Sequence, residues 1–290
     1  MDLFLQLLAN GLVIGTFYAL SALGLTLVFG LMRVVNFAHG ELYVVGGLLG
    51  WALTDLAGLN FFVTLAIVVL SLAIGGYLID RFLMARVRGK GEEPTILLTI
   101  GLSIFLTNTA LLIVGTAPQK VISPFANKPL FLGPVVITQS RLVLVAISAA
   151  LILAAHLLIQ KTTLGRSMRA TFQDPMAAQL AGIRTSHIYG FTLALGAALA
   201  GAAGMLLGSI YVAQANIGDV VSLKAFVVVI LGGMGSFVGA IIGGLILGVS
   251  ENLWGGYMAT GYVDAIGFGL VIAMLLVRPY GLFGKHAERA

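Results

Sequence analysis

The sequence predicts an all-α, multi-pass membrane protein, and its composition and the spacing of its apolar stretches both favour this class. Of the 290 residues, 59% are hydrophobic and only 9% are charged. A soluble domain usually carries about 25% charged residues, because water must solvate its surface. Each membrane crossing needs about 20 mostly apolar residues, so about eight or nine crossings would use nearly the whole chain. We therefore expect a single transmembrane domain over residues 1–290.

Apolar segments alternate with polar stretches along the chain. They lie near residues 3–32, 40–58, 61–84, 94–115, 141–160, 188–213, 223–232, 236–254 and 260–278. The segment 223–232 would form about 15 Å of helix, half of a hydrocarbon core. We therefore expect a discontinuous or re-entrant helix, broken at 232–236 and preceded by extended backbone at 214–222. Irregular backbone at membrane depth survives only where protein or a water-filled cavity covers it, which favours a transport path.

The basic residues predict an orientation. If the most basic polar stretches are cytoplasmic, 12 of the 16 Lys and Arg lie inside. These are Arg33, Arg81, Arg86, Arg88, Lys90, Lys161, Arg166, Arg169, Arg184, Arg278, Lys285 and Arg289, and the other four are Lys120, Lys128, Arg141 and Lys224. The positive-inside rule then predicts a bacterial inner-membrane protein with a periplasmic N-terminus and a cytoplasmic C-terminus, which an odd number of crossings allows. This distribution explains the net charge of +5 without nucleic-acid binding.

A weak internal repeat relates the two halves of the chain. Asn36-Phe37-Ala38-His39-Gly40-Glu41 follows the first helix, and Asn216-Ile217-Gly218-Asp219 follows the helix at 188–213. In the predicted topology the first copy lies on the cytoplasmic side and the second on the outer side. Interrupted helices at matching positions are typical of inverted repeats, which place the substrate site between the halves of a transporter. Chance similarity of glycine-rich helices explains the match about as well.

Polar residues and glycines near these interruptions are candidates for the solute path. They are Asn36, His39, Gly40, Glu41, Thr107, Asn108, Asn216, Gly232, Gly233 and Gly235. Glu41 and Asp219 each precede a helix, where the helix dipole stabilises a carboxylate and a neighbouring asparagine could cap the helix. Capping and interhelical hydrogen bonds are the alternatives to solute contact. His39 has no second ligand at helical spacing, so no metal site is expected.

Small residues recur at every fourth position in two helices. One set is Gly196, Ala200, Gly204 and Gly208, and the other is Gly232, Ser236, Ala240, Gly244 and Gly248. Such stripes allow helix backbones to approach closely in a membrane. Packing within one subunit is the favoured explanation, and a subunit contact or a solute-lining surface is the alternative.

The polar stretch 161–187 is the most specific segment, and it is too polar to span a membrane. Asp174 is placed to cap a helix that starts at Pro175, and Gly182 is placed to end that helix. A short helix with flanking arginines at the cytoplasmic surface would suit the docking of a soluble partner. A plain connection is the alternative, although connections of this length are uncommon without a function. No GxxxxGK[ST], GxSxG or HExxH motif occurs, so the chain is not expected to bind ATP or to be an enzyme.

Taken together, these motifs resemble those of permeases from branched-chain amino acid ABC transporters, the H-type subunit especially. The resemblance rests on 161–187, on the Asn36 to Glu41 motif and on Leu231-Gly232-Gly233-Met234-Gly235-Ser236, and it extends to 278–284. It implies a second related permease, two cytoplasmic ABC ATPase subunits and a periplasmic substrate-binding protein as partners. The ATPases would use the ATP, so no cofactor is expected in this chain.

The resemblance also implies roles for residues and a substrate class. The residues that would couple the chain to the ATPases are Gly165, Arg166, Arg169, Asp174, Ala177, Ala178 and Gly182. The substrates would be leucine, isoleucine, valine and other amino acids. Similar permeases carry urea or short amides. A passive channel for a small neutral solute, and an ion-coupled carrier that uses Glu41, Asp219 or Asp264, are further alternatives.

Overall fold

The computed structural model describes residues 2–32, 35–258 and 260–284. Within these ranges the chain is mainly helical. The helices are α1 (Asp2–Met32), α2 (His39–Trp51), α3 (Phe61–Ile79), α4 (Ala85–Val87), α5 (Glu93–Val114), α6 (Gln139–Lys161), α7 (Thr163–Gln173), α8 (Pro175–Leu180), α9 (Thr185–Ile210), α10 (Gly218–Gly232), α11 (Phe237–Tyr257) and α12 (Val263–Val277). Ala52–Leu56 continues α2 and Asp80–Met84 links α3 to α4, both as π-helical turns. Arg33, Lys285 and Arg289, which helped to predict the orientation, lie outside the described residues.

Six helical stretches are long and apolar enough to cross a membrane. They are Asp2–Met32, Phe61–Val87, Glu93–Val114, Gln139–Lys161, Thr185–Ile210 and Phe237–Tyr257. α2 with 13 residues, and α10 and α12 with 15 each, are shorter than the roughly 20 residues of a full crossing. The helical membrane class is therefore supported, and the count of eight or nine crossings stays a prediction.

A short β-hairpin departs from the all-α prediction. Strands β1 (Pro129–Leu132) and β2 (Val135–Thr138) pair antiparallel, and Gly133 adopts a φ of +66° at the turn between them. The Gln6 side chain holds the hairpin against α1, since it donates to the carbonyl oxygen of Val136 at 3.0 Å and accepts from the Val136 N–H at 2.8 Å. This side of the molecule is named the hairpin end. The opposite side, which carries α7 and α8, is named the α8 end.

Glycines let the central helices pack closely. A Cβ on Gly248 would lie 2.4 Å from the backbone nitrogen of Gly15, where α11 crosses α1. Where α9 crosses α2, a Cβ on Gly204 would lie 1.9 Å from the carbonyl oxygen of Tyr43. Both glycines belong to the predicted stripes of small residues. Packing within the subunit, the favoured explanation of the stripes, is confirmed at these positions.

After α1 the chain turns back into the bundle before the next helix begins. α1 ends at the α8 end, but α2 begins with His39 beside Ser21 and Gly24 of α1. These two residues precede the last residue of α1 by about 12–17 Å at 1.5 Å per residue. From there α2 leads to the hairpin end, where Thr54 accepts a hydrogen bond from the Ile122 N–H at 3.2 Å.

The same arrangement follows α9, in the opposite direction. α9 ends at the hairpin end, where Gln119 and Ala213 exchange backbone hydrogen bonds of 2.9 and 2.7 Å. The chain is non-helical from 211 to 217, and α10 then leads from the interior to the α8 end. The prediction of extended backbone at 214–222 is therefore wrong for its last five residues, because α10 begins at Gly218.

The starts of α2 and α10 lie in contact inside the bundle. The predicted topology placed the two copies of the repeat on opposite sides, and this placement is wrong. Each copy lies on a segment that turns back before its helix begins, so both reach the interior. The structure thus brings the two interruptions together at one place.

Candidate functional site

The first turns of α2 and α10 touch because neither has a side chain at the point of contact. A Cβ on Gly40 would lie 2.0 Å from the carbonyl oxygen of Gly218. The Ser222 hydroxyl joins the two helices, since it accepts from the Gly40 N–H at 2.8 Å and donates to the carbonyl oxygen of Phe37 at 3.2 Å. Two helix N-termini, each with a partial positive charge, therefore meet at one place in the interior.

Glu41 lies at this meeting point and is 1% exposed. Its Oε1 accepts a long hydrogen bond of 3.4 Å from the Ser103 hydroxyl of α5, and its Oε2 has no hydrogen-bond partner among the described residues. A Cβ on Gly218 would lie 2.0 Å from Oε1, so α10 closes over the carboxyl group. Thr107 also lies beside the carboxyl group, but its hydroxyl donates to the carbonyl oxygen of Ser103 at 3.0 Å.

The residues before Glu41 are held by the backbone around them. The Asn36 side chain, 3% exposed, accepts from the Ala38 N–H at 3.1 Å, so it orders the turn before α2 and is not the residue that caps it. The His39 ring is fully buried and its Nε2 lies 2.9 Å from the carbonyl oxygen of Ser21. Since a carbonyl only accepts, Nε2 carries the hydrogen, and Nδ1 is left without a described partner.

A row of hydroxyl groups on α5 leads from Glu41 toward the α8 end. Thr95, Thr99 and Ser103 recur at every fourth position and are 8%, 0% and 7% exposed. Thr95 and Thr99 line a cavity at the α8 end, together with Asn36 and Arg88. These three residues were not among the candidates predicted for the solute path. Their spacing of four along an otherwise apolar helix is the signal that could have found them.

Three polar candidates lie at the edge of this site. Asn108 is exposed and donates to the carbonyl oxygen of Ile104 in its own helix at 2.7 Å. Asn216 is exposed as well, and α10 has no side-chain cap. Asp219 is exposed at the start of α10 and close enough to act electrostatically on Glu41. The geometry therefore gives Asn108 a local hydrogen-bonding role and places a second carboxylate next to Glu41.

The glycines after α10 form a separate group. Gly232, Gly233 and Gly235 lie at the α8 end, about 21 Å from Gly218 along α10. Gly233 and Gly235 have φ values of +100° and +81°, which favour glycine. The C-terminal stretch packs on this turn, because Leu282 and Phe283 donate to the carbonyl oxygens of Leu231 and Gly232, both at 3.0 Å. These glycines break the helix between α10 and α11 and do not line the Glu41 site.

The predicted short helix lies at the α8 end. The Asp174 side chain accepts from the N–H groups of Met176 and Ala177 at 2.8 and 3.0 Å, and Gly182 follows α8 with a φ of +83°. The predicted cap and end of this helix are therefore observed. Of the other residues predicted to couple the chain to its partners, Ala178 is 4% exposed, whereas Arg166 and Ala177 are exposed.

A further helix, α7, precedes α8 and was not predicted. Gly165 packs against the end of α6, where a Cβ would lie 2.1 Å from the carbonyl oxygen of Ile159. The Arg169 guanidinium donates to the same carbonyl. Near the end of α7, the Phe172 ring fills the space beside two glycines, since a Cβ on Gly30 or Gly235 would lie 2.3 or 2.8 Å from it. α7 therefore joins α6, α1 and the break after α10.

A second group of charged residues is neutralised within the subunit. Lys224 of α10 donates to both oxygens of Glu251 at 2.9 and 3.0 Å and lies 3.1 Å from Asp264. The Tyr18 hydroxyl donates to Glu251 at 2.8 Å. The predicted orientation leaves Lys224 among the four basic residues outside, and Asp264 is one of the possible ion-carrying residues. The structure pairs Lys224 with both Glu251 and Asp264, in a cluster that joins α1, α10, α11 and α12.

Comparison with known proteins gives similarity over nearly the whole chain. The sequence model of one family, described as the permease component of branched-chain amino acid transport systems, matches residues 7–277. The chain is 35% identical to the high-affinity branched-chain amino acid transport system permease protein BraD of Pseudomonas aeruginosa, over 97% of this chain and 96% of that protein. It is 36% identical to the corresponding permease protein LivH of Escherichia coli K12, with the same coverage. A lower identity of 26%, over 91% of this chain and 67% of the relative, relates it to the permease protein LivM of E. coli K12.

Proposed function

Because this chain belongs to the permease family of branched-chain amino acid transport systems, we propose that it is a permease subunit of an ABC importer. It forms the membrane path for leucine, isoleucine and valine, and partner ATPases drive it. The observation that carries this proposal is identity of 35–36% over nearly the full length of two permeases of that kind. The capped α8 and the closed site at Glu41 supply the two parts that such a subunit needs, a surface for a partner and an interruption inside the membrane.

The proposed partners follow from this family. The similarity to LivM supports a second, related permease as the other half of the membrane path. Two cytoplasmic ABC ATPase subunits and a periplasmic binding protein complete the importer. ATP is used by the ATPases, so this chain itself holds no cofactor.

We place the α8 end in the cytoplasm and the hairpin end in the periplasm. This orientation puts the basic residues Lys161, Arg166, Arg169 and Arg184 inside, as the positive-inside rule requires. α2 and α10 then enter the bilayer from opposite sides, and each counts as one of nine crossings. Their non-helical entries are covered by protein, which a bilayer demands of irregular backbone.

The docking surface for the ATPase is the exposed face of α7 and α8. Met176 and Leu180 of α8 are 75% and 87% exposed, and Arg166 lies exposed on α7. Apolar side chains with a basic rim suit a protein partner more than they suit water. Gly165, Arg169, Asp174, Ala177, Ala178 and Gly182 hold this surface in shape.

Movement of the ATPase reaches the solute site through α10. The Phe172 ring contacts Gly235 at one end of α10, and Gly218 covers Glu41 at the other end. The break at residues 233–236 separates α10 from α11 and allows α10 to tilt by itself. A displacement of α7 would thus draw Gly218 away from Gly40 and open the site.

Reconstitution of the complete importer tests the proposed function. Proteoliposomes with both permeases, the ATPases and the binding protein should accumulate labelled leucine against its gradient only when ATP is present. Accumulation that survives collapse of the proton and sodium gradients would exclude an ion-coupled carrier, and equilibration without ATP would indicate a passive channel. Failure to import any of the three amino acids contradicts the proposal.

The coupling surface is tested by Leu180→Asp, which adds a charge to the exposed apolar face of α8. The complex should lose its ATPase subunits in size-exclusion chromatography, because the carboxylate would have to be desolvated in the interface. Val277→Asp in α12, also about four-fifths exposed but outside α7 and α8, is the matched control for retention of the ATPases. Equal retention in both variants would show that α8 is not the docking surface.

A further inference from the structure

Within the part of the chain that the structure describes, Glu41 has no positive partner in the closed site. Among the described residues, the carboxylates in ion pairs are Asp80, Glu251 and Asp264. Among the titratable groups on the packed elements, Asp219 of α10 acts on Glu41 and is acidic, and the His39 ring of the same helix bonds to a carbonyl oxygen. An ionised carboxylate that is 1% exposed and unpaired costs several kcal/mol. In this closed form the carboxyl group must therefore carry a proton or a bound cation.

The unused hydrogen-bonding capacity at the site points toward a ligand. Oε2 of Glu41 is buried without a described partner, although groups at this depth are normally satisfied. The two helix N-termini favour a negative group at the same place. The site therefore offers an acceptor for a cation beside two helix N-termini, whose partial positive charge suits an anion, and this combination matches the two ends of a zwitterion.

We propose that Glu41 binds the ammonium group of the amino acid during its passage, and that a proton occupies this carboxyl group when the site is closed and empty. The inference rests on the proposed function and names the ligand group that Glu41 recognises. When the ammonium group arrives, the carboxylic acid gives up its proton and becomes the carboxylate of an ion pair.

The proton has a route to water and back. Ser103, Thr99 and Thr95 lie on successive turns of α5 between Glu41 and the cavity at the α8 end, and a hydroxyl group can both accept and donate a hydrogen bond. The proton leaves along this row to water in the cavity when the ammonium group binds, and it returns when the amino acid departs. No proton crosses the membrane in a full cycle, so import does not depend on a proton gradient.

Glu41→Gln separates this role from a structural one. Glutamine has the shape of the neutral carboxylic acid but cannot form an ion pair, so the complex should assemble while leucine uptake falls about tenfold or more, the loss of a charged hydrogen bond. Glu93→Gln, an exposed carboxylate at the start of α5, is the control and should keep wild-type uptake. Uptake by Glu41→Gln within twofold of wild type would overturn the proposal while leaving the proposed function intact. A wild-type complex that imports no branched-chain amino acid would overturn both.

Chemical labelling of the wild-type complex gives an answer even if Glu41→Gln fails to assemble. Dicyclohexylcarbodiimide modifies protonated carboxyl groups in apolar surroundings. Peptide mass spectrometry should find it on Glu41 and not on Glu251, whose carboxyl group is occupied by the ion pair with Lys224. Leucine should suppress the labelling of Glu41. 4-Methylpentanoate, which has leucine's side chain and carboxylate but no amino group, should leave it unchanged. No labelling of Glu41, no suppression by leucine, or equal suppression by both compounds would overturn the proposal.

Discussion

Glu41 and Glu251 are both almost completely buried, at 1% and 5% exposure, yet their surroundings are opposite. Glu251 receives two hydrogen bonds from Lys224 and one from Tyr18. Glu41 receives one long hydrogen bond and faces two helix N-termini. Burial alone therefore does not tell what a carboxylate does.

The difference distinguishes a structural ion-pair cluster at Glu251 from a candidate binding site at Glu41. The cluster of Lys224, Glu251 and Asp264 satisfies its charges from four helices and holds them together. The Glu41 site keeps acceptor capacity unused, and on the α10 side a glycine, Gly218, covers it. Buried polar groups in membranes are costly, so an unsatisfied one is a functional hypothesis and a satisfied one is foremost a structural one.

Among the variants that test this difference, Lys224→Met should have the largest effect on stability. The variant leaves Glu251 as a buried, unpaired charge, so we expect the free energy of unfolding to fall by about 3–5 kcal/mol. Unfolding by dodecyl sulfate in mixed micelles measures it. Lys161→Met, an exposed lysine at the end of α6, should change it by about 0.5 kcal/mol or less. Equal losses in the two variants would show that the ion pairs of Lys224 do not stabilise the fold.

Gly40→Ala should come second, because it disturbs the contact that closes the Glu41 site. The new Cβ would lie 2.0 Å from a backbone carbonyl oxygen, which cannot rotate away, so about 1–3 kcal/mol of stability should be lost. Gly101→Ala in α5 meets nothing within 4 Å and should be neutral or stabilising by up to about 1 kcal/mol. The same unfolding assay compares them, and a tolerated Gly40→Ala would show that the two helices are not tightly apposed.

Ser222→Ala should cost about 1 kcal/mol. The hydroxyl that joins the Gly40 N–H to the Phe37 carbonyl oxygen is lost, and the Gly40 N–H is left buried without it. Ser167→Ala removes a hydroxyl that bonds only within α7, so it serves as the matched control in the same assay. If the two variants lost equal stability, the hydrogen bonds of Ser222 between α2 and α10 would contribute no more to the free energy of unfolding than a hydroxyl bonded within one helix.

Asp264→Asn should have the smallest effect. The Asp264 side chain is 67% exposed, so its attraction to Lys224 is screened, and Glu251 alone keeps Lys224 paired. We expect a loss of about 0–1 kcal/mol and unchanged leucine uptake in proteoliposomes. A loss as large as that of Lys224→Met would show that Asp264, and not Glu251, is the main partner.

Local features were predicted well where neighbours in sequence decide them. The cap at Asp174, the glycine at 182 and the break near residue 233 depend on backbone geometry within a few residues. α7 was missed because its apolar face, with Met168 and Phe172, lies in a polar segment too short to show a membrane pattern. The hairpin was missed because its strands are short and it is held against α1 by Gln6, more than a hundred residues away.

By itself, the amino-acid sequence determined that this chain lies in a membrane, where its long helices run and that a capped polar helix follows Asp174, since hydropathy and capping act over short stretches. Only the tertiary structure decided that the starts of α2 and α10 meet, that Lys224 pairs with Glu251 and that Glu41 forms no ion pair with any described residue. These contacts join residues that are far apart in the chain. Whether a buried charge has an opposite charge beside it depends on which distant residues the fold brings next to it.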